Sequence, residues 1–320
     1  MRLPDRLATP VEKVGLGPEM FASGRMGEWR WRSGFVHALE EKSYTLQSVL
    51  KSEHWRPPQL CVRRSADNMK TMSPKRHYQK APITEAIIDL RVELRPDFPV
   101  SELSKAHEGQ EAAYPTVQER HAAFGQMQVG PQVSAIAGSQ HIGYLYRSGD
   151  SKQIYQARLD GFTMSRLAPY ENWESLRDEA RRLWDIYRSV AKPPKVSRLA
   201  VRYINRIDIP LPLRDFKDYL RTVPEVSPDL PQGLAGYFMQ LTIPLEDIKS
   251  LALINETIIE PSCQNVVSVV LDIDIFRTAD LPPDEEGIWA FFEELRDRKN
   301  QVFEACITDK ARDLFQPCQP

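Results

Sequence analysis

The chain has 320 residues, 42% of them hydrophobic and 27% charged, with a net charge of −2. This length holds either two ordinary domains or one large duplicated one, in the balance usual for globular proteins. No run approaches the roughly 18 apolar residues of a membrane span, and Met1-Arg2-Leu3-Pro4-Asp5 is no signal peptide, so a cytoplasmic protein without membrane contact is expected.

Residues 1–76 carry 14 of the 42 Lys and Arg but 8 of the 44 Asp and Glu. They show no sustained hydrophobic period beyond a weak stretch near Phe35 to Leu50. Met69-Lys70-Thr71-Met72-Ser73-Pro74-Lys75-Arg76 is polar and basic and reads like a natural N-terminus. Two readings stand for 1–76: a start assigned too far upstream, or a disordered arm. The remaining body is acidic, which argues against a nucleic-acid binder held by bulk charge.

From Ile83 to Leu94, Ala86, Ile88, Leu90 and Val92 alternate with Ile87, Asp89, Arg91 and Glu93, predicting a strand with one apolar face. Pro96 and Pro99 end it, and Ser101 opens a predicted helix to about Ala113. Strands follow at His121–Val129, His141–Arg147, Gln153–Leu159 and Phe162–Leu167. Asp160-Gly161 reads as the centre of a hairpin whose turn residues take positive φ. Trp173, Leu176, Ala180, Leu183, Trp184 and Tyr187 recur at three and four, predicting a helix from Trp173 to Ala191 capped by Asn172.

After Pro193-Pro194 the pattern repeats. A strand from Val196 to Ile209 is followed by a short helix at Leu213–Thr222 and strands at Tyr237–Ile243, Ser250–Ile259 and Asn265–Arg277. A long closing helix runs from about Pro283 to Phe315, with a possible break in the polar Arg296–Gln301 stretch. The fold class expected is α+β: a strand-helix-strands-helix unit duplicated over 77–192 and 193–320, forming one antiparallel sheet with helices on one face. The saddle of the TATA-binding protein shares that element order, and folds of this kind host unrelated functions.

Several of these segments carry specific motifs. His77-Tyr78 with Ala81-Pro82-Ile83-x-Glu85-Ala86-Ile87, Leu159-Asp160-Gly161 with Arg166, Tyr170-x-x-Trp173 and Arg202-Tyr203-Ile204-Asn205 together resemble a family of uncharacterised bacterial and archaeal proteins described only as sporadically distributed. The resemblance covers about residues 77 to 320. It implies a compact cytoplasmic protein of about 250 residues, brings no established activity, and by its patchy occurrence points to mobile, defence-type gene clusters.

Candidate sites come from the residues themselves. Asp272 and Asp274 share a strand face about 7 Å apart, a spacing that suits a magnesium site for phosphodiester chemistry or, equally, acids paired with arginines across strands. Arg198, Arg202 and Arg206 recur every fourth residue, joined by Arg158 and Arg166, and would either grip a phosphate of a nucleotide or nucleic acid or pair with Asp208, Asp272 and Asp274. Tyr203 and Asn205 interrupt an apolar face, either as a polar link to a covering helix or as contacts in a sheet–helix pocket. His141 is the last histidine and no histidine pair has ligand spacing, so no histidine metal site is expected; the scattered Cys61, Cys263, Cys306 and Cys318 form no C-x-x-C pair.

The reading favoured by these observations is a non-enzymatic binding or assembly protein with a protein partner, nucleic acid being a second partner through the arginine row, and no cofactor. The alternatives are a metal-dependent phosphodiesterase or nuclease using Asp272 and Asp274 with Arg202 and magnesium, and a nucleotide or small-ligand sensor. Oligomeric state is not legible.

Overall fold

The computed structural model describes residues 76–128 and 134–318, so the expectations for residues 1–75 lie outside the described residues. Strands β1 (Ile83–Glu93), β2 (Thr116–Gln128), β3 (Ser134–Arg147), β4 (Gln153–Arg158) and β5 (Gly161–Leu167) precede helix α1 (Trp173–Ala191). Then come β6 (Lys195–Pro210), β7 (Phe238–Leu245), β8 (Ser250–Ile259) and β9 (Val266–Arg277), and helices α2 (Glu285–Cys306) and α3 (Asp309–Phe315). The strands form one antiparallel sheet in the order β2-β3-β4-β5-β1-β6-β9-β8-β7.

β1 and β6 hold the middle of that sheet, each turning a buried and mostly apolar face to the core. Their register runs from Ile83 opposite Asn205 to Glu93 opposite Lys195. Ala86, Ile88 and Leu90 of β1 thereby line up with Leu199, Val201 and Tyr203 of β6 in a single core, which α1 and α2 complete with Trp173, Leu183, Trp184, Phe292 and Leu295. Burying one stripe of each helix against one side of the sheet is what the 3.6-residue spacing requires. Asn172 starts α1 as expected, its Oδ1 accepting from the Ser175 amide at 2.8 Å.

Four expectations are corrected. The segment after Pro99 is a tighter 3₁₀ helix, Val100–His107, ended before Gly109, whose φ of +77° suits glycine. Residues 213–222 hold only a 3₁₀ turn at Phe216–Asp218, since Leu220 leaves to bridge Ile307. The closing helix breaks at Ile307 and Thr308, where Ile307 is extended and Thr308 caps α3, and not within Arg296–Gln301. The β4–β5 turn is made by Leu159 and Asp160 without positive φ; Gly161 follows at φ +152° as the first residue of β5. A Cβ there would lie 2.2 Å from the Leu90 carbonyl oxygen, so glycine is needed for close approach to β1.

Candidate functional site

A cleft of about 190 Å³ opens where the ends of β1 and β6 meet the start of α1 and the middle of α2. β6 supplies Tyr203 and Asn205 from its helix-covered face. The turn into α1 supplies Tyr170, Trp173 and Glu174, the segment leading to β1 supplies Arg76, His77, Tyr78, Ala81, Pro82 and Ile83, and α2 supplies Arg296, Lys299, Gln301 and Glu304. Local chemistry fixes each piece. The buried Trp173 donates its indole N–H to Glu293 of α2 at 2.8 Å, tying the two helices at the cleft's edge. The amide nitrogen of buried Asn205 donates to the carbonyl oxygens of Leu271 at 3.0 Å and Tyr203 at 3.3 Å.

The hydroxyls of Tyr170 and Tyr203 lie 2.9 Å apart. Burial, with the neighbouring Tyr170, holds the Tyr203 hydroxyl well above its ordinary pKa, so it stays protonated. Lys299 is 7% exposed, and its ammonium sits 3.6 Å from the centroid of the Tyr203 ring. Burial, reinforced by the positive charge of Arg296 and opposed by Glu304, pushes its pKa down to about 7. Glu304 is occupied: it accepts from Tyr78 at 2.5 Å, Arg76 at 3.0 Å and Arg312 at 2.8 Å. Oε1 of Gln301 is buried without a hydrogen-bond partner. With Tyr78 and Arg76 already bonded to Glu304, the cleft offers the Lys299 cation and the phenols of Tyr170 and Tyr203 in partly apolar surroundings.

The arginine row lies on the other face of the sheet, bonded to acids. Arg202 holds Asp272 with two bonds, Nε to Oδ1 at 2.9 Å and a terminal nitrogen to Oδ2 at 2.8 Å. Arg198 bridges Asp89 and Asp274 at 2.6 Å each. Its neighbour Arg158 reaches Asp89 at 3.6 Å and Asp160 at 3.0 Å, whereas Arg206 bonds Asp208 at 3.1 Å and the Ser268 hydroxyl at 3.0 Å. Arg166 stands apart and bonds Glu171 at 2.5 Å, at the rim of the cleft. The pairs are diagonal: Asp274 is the partner of Arg202 in register, yet Arg202 bonds Asp272 two residues along. Burial raises the Asp89 pKa, but the guanidinium groups of Arg91, Arg198 and Arg158 outweigh it and hold the carboxyl well below the usual range. At Asp274 burial wins over Arg198 and Arg202 and the pKa is raised.

So Asp272 and Asp274 face guanidinium groups, and Asp272 also accepts from the Asn255 amide at 3.0 Å. Among the described residues no cluster of three His, Cys, Asp or Glu is placed to hold a metal ion. No helix among them is long and apolar enough to cross a membrane. Searches against protein-family models and curated proteins return no match to the chain.

Of the site residues named from sequence, Tyr203 and Asn205 stand in the cleft, with the five arginines and two aspartates in ion pairs. Lys299 escapes the sequence reading because its neighbours Arg296, Asp297 and Arg298 make the stretch look like a solvated break. The signal was present. Phe292, Leu295, Val302 and Cys306 form the apolar stripe of α2, and position 299 falls within it.

One further buried acid yields a prediction. Glu256 is 2% exposed, and burial, opposed by the bond from the Tyr237 hydroxyl, raises its pKa to about 7. A raised folded pKa contributes stability below the unfolded value of 4.5 that is lost as pH climbs through about 7. Denaturation midpoints of Glu256→Gln should therefore change less than wild type between pH 5 and pH 8. A wild-type loss over that window fully retained in the variant would assign the titration to another group.

Proposed function

We propose that this chain is a small-ligand-binding protein whose ligand occupies the cleft between β1, β6, α1 and α2. The observation that carries the reading is convergence. His77-Tyr78, Ala81-Pro82-Ile83, Tyr170-x-x-Trp173 and Tyr203-x-Asn205 are far apart in the chain, and all line this one cavity. These are segments on which the resemblance to the sporadically distributed family rests, so membership of that family is part of the proposal. A shared site accounts for four distant segments meeting at one cavity better than four separate packing needs would.

The enzyme alternative draws less support. Arg202 and Asp272, its proposed electrostatic and metal-binding groups, bond each other, and Asp272 is 0% exposed. A role in assembly with a protein partner is compatible with a ligand-gated protein, the cleft then being the sensing site. The two rounds of strand, helix, strands and helix fit a duplicated unit, because β5 returns beside β1 as β9 returns beside β6.

A thermal-shift screen with nucleotides and small metabolites tests the reading. A ligand present at about 100 times its Kd stabilises by about 2.7 kcal/mol, which for a body of this size raises Tm by roughly 5 to 10 °C. Asn300→Trp, which puts bulk into the cleft from a half-buried position of α2, should abolish the rise. A panel that gives no saturable shift, or a shift unchanged in Asn300→Trp, removes the cleft from consideration.

A further inference from the structure

We infer that the group recognised in this cleft is an oxyanion, a phosphate or carboxylate on a small molecule, and that Lys299 is the cation that receives it. This rests on the cleft being a ligand site and names the chemistry of its ligand. Lys299 lies within the apolar stripe of α2, and among the described residues no carboxylate or hydrogen-bond acceptor is within bonding reach of its ammonium; its one close partner is the face of Tyr203. A ring face returns less than the desolvation of an ammonium costs, so the protein's own groups leave Lys299 under-compensated.

Of the four acids that line the cleft three are engaged elsewhere, and the fourth, Glu174, stands exposed on the first turn of α1 with no bond to Lys299. Glu304 is shared among Tyr78, Arg76 and Arg312, Glu171 is bonded to Arg166, and Asp297 pairs with Arg296 at 2.7 Å. Arg296 also lines the cleft one turn before Lys299, adding positive potential at the same place. An incoming anion would give Lys299 the counter-ion the fold withholds. The lysine pKa lowered by burial is consistent with this, since an ammonium that is only partly charged when the site is empty takes up a proton when an anion arrives.

Size narrows the ligand further. The volume of about 190 Å³ is below the range of sites that enclose drug-sized molecules, roughly 300 to 1,000 Å³. It fits a small acid or the anionic end of a larger one.

The test is a calorimetric titration of the full chain with sodium phosphate and with sodium acetate, at fixed ionic strength and pH 7, in two buffers of different ionisation enthalpy. Wild type should bind at least one anion saturably with net proton uptake. Lys299→Met should bind at least tenfold more weakly, without that uptake, and should melt at or above wild type, because it removes an uncompensated buried charge. Phosphate alone saturating identifies a phosphate ligand; acetate alone, a carboxylate. The inference fails if neither anion saturates wild type, if Lys299→Met binds equally well, or if that variant melts below wild type. A ligand from the thermal-shift screen that Asn300→Trp abolishes but Lys299→Met leaves unchanged would keep the cleft as the site and overturn the oxyanion alone.

Discussion

Arg202→Ala is expected to destabilise the protein by about 3 to 5 kcal/mol, the usual cost of removing one partner of a buried ion pair. Asp272 is fully buried, and the Arg202 side chain is 14% exposed and makes two parallel bonds to that carboxylate. Truncation would leave Asp272 with the Asn255 amide as its remaining bonded partner, too little to compensate a carboxylate removed from water. Replacing both members, as in Arg202→Met with Asp272→Leu, should recover most of the loss, because apolar residues of similar volume carry no desolvation penalty. Urea denaturation measures both variants. A loss below about 1 kcal/mol for Arg202→Ala would describe a surface side chain, and would return the arginine row to candidacy as a phosphate-gripping surface.

The two outcomes separate the competing uses of the same residues. A row of guanidinium groups is a binding surface when water reaches it and a structural network when acids do. Sequence spacing alone does not distinguish them. Alternation put Arg198, Arg202 and Arg206 on one strand face and Asp272 and Asp274 on another, but which strands become neighbours depends on chain return. β9 pairs with β6 in a register that brings Asp274 opposite Arg202. Once that pairing is known, diagonal ion pairs follow from side-chain length.

The same contrast between local and non-local information runs through the fold. Helix α1 was legible to its ends, because Asn172 supplies the cap and the apolar spacing persists without interruption. The central strands were legible because a period of two sustained over ten residues has no helical counterpart. The 3₁₀ segment at Val100–His107 was not, since its first turns carry the same composition as an α-helix. Nor was the break between α2 and α3: Ile307 leaves helical geometry to pair with Leu220, a contact 87 residues away in sequence. The cleft was half legible. Tyr203 and Asn205 stood out as polar groups on an apolar face, whereas Lys299 was hidden by reading Arg296–Gln301 as a polar block instead of asking which of its members fell on the stripe.

The largest effect is expected from cutting the chain at Pro193-Pro194, between α1 and β6. Neither fragment, 1–193 or 194–320, should show a cooperative melt alone. Separation would strip β1 and β6 of their mutual ladder from Ile83–Asn205 to Glu93–Lys195 and turn the two central strands into open edges, each presenting unpaired amides and carbonyls. It would also halve the core, because Leu90 and Val201 share one cluster with side chains of both α1 and α2. The links between helices would go too: Trp173 and Arg177 to Glu293, and Arg188 to Glu285. Mixing the fragments from denaturant should restore one transition, as both surfaces are complementary. A single fragment that melts sharply as a monomer would mean that each round is an independent domain. That result would also undo the site, since Tyr170 and Trp173 belong to the first fragment and Tyr203, Asn205 and Lys299 to the second, so a cleft assembled from both exists only while the central ladder holds.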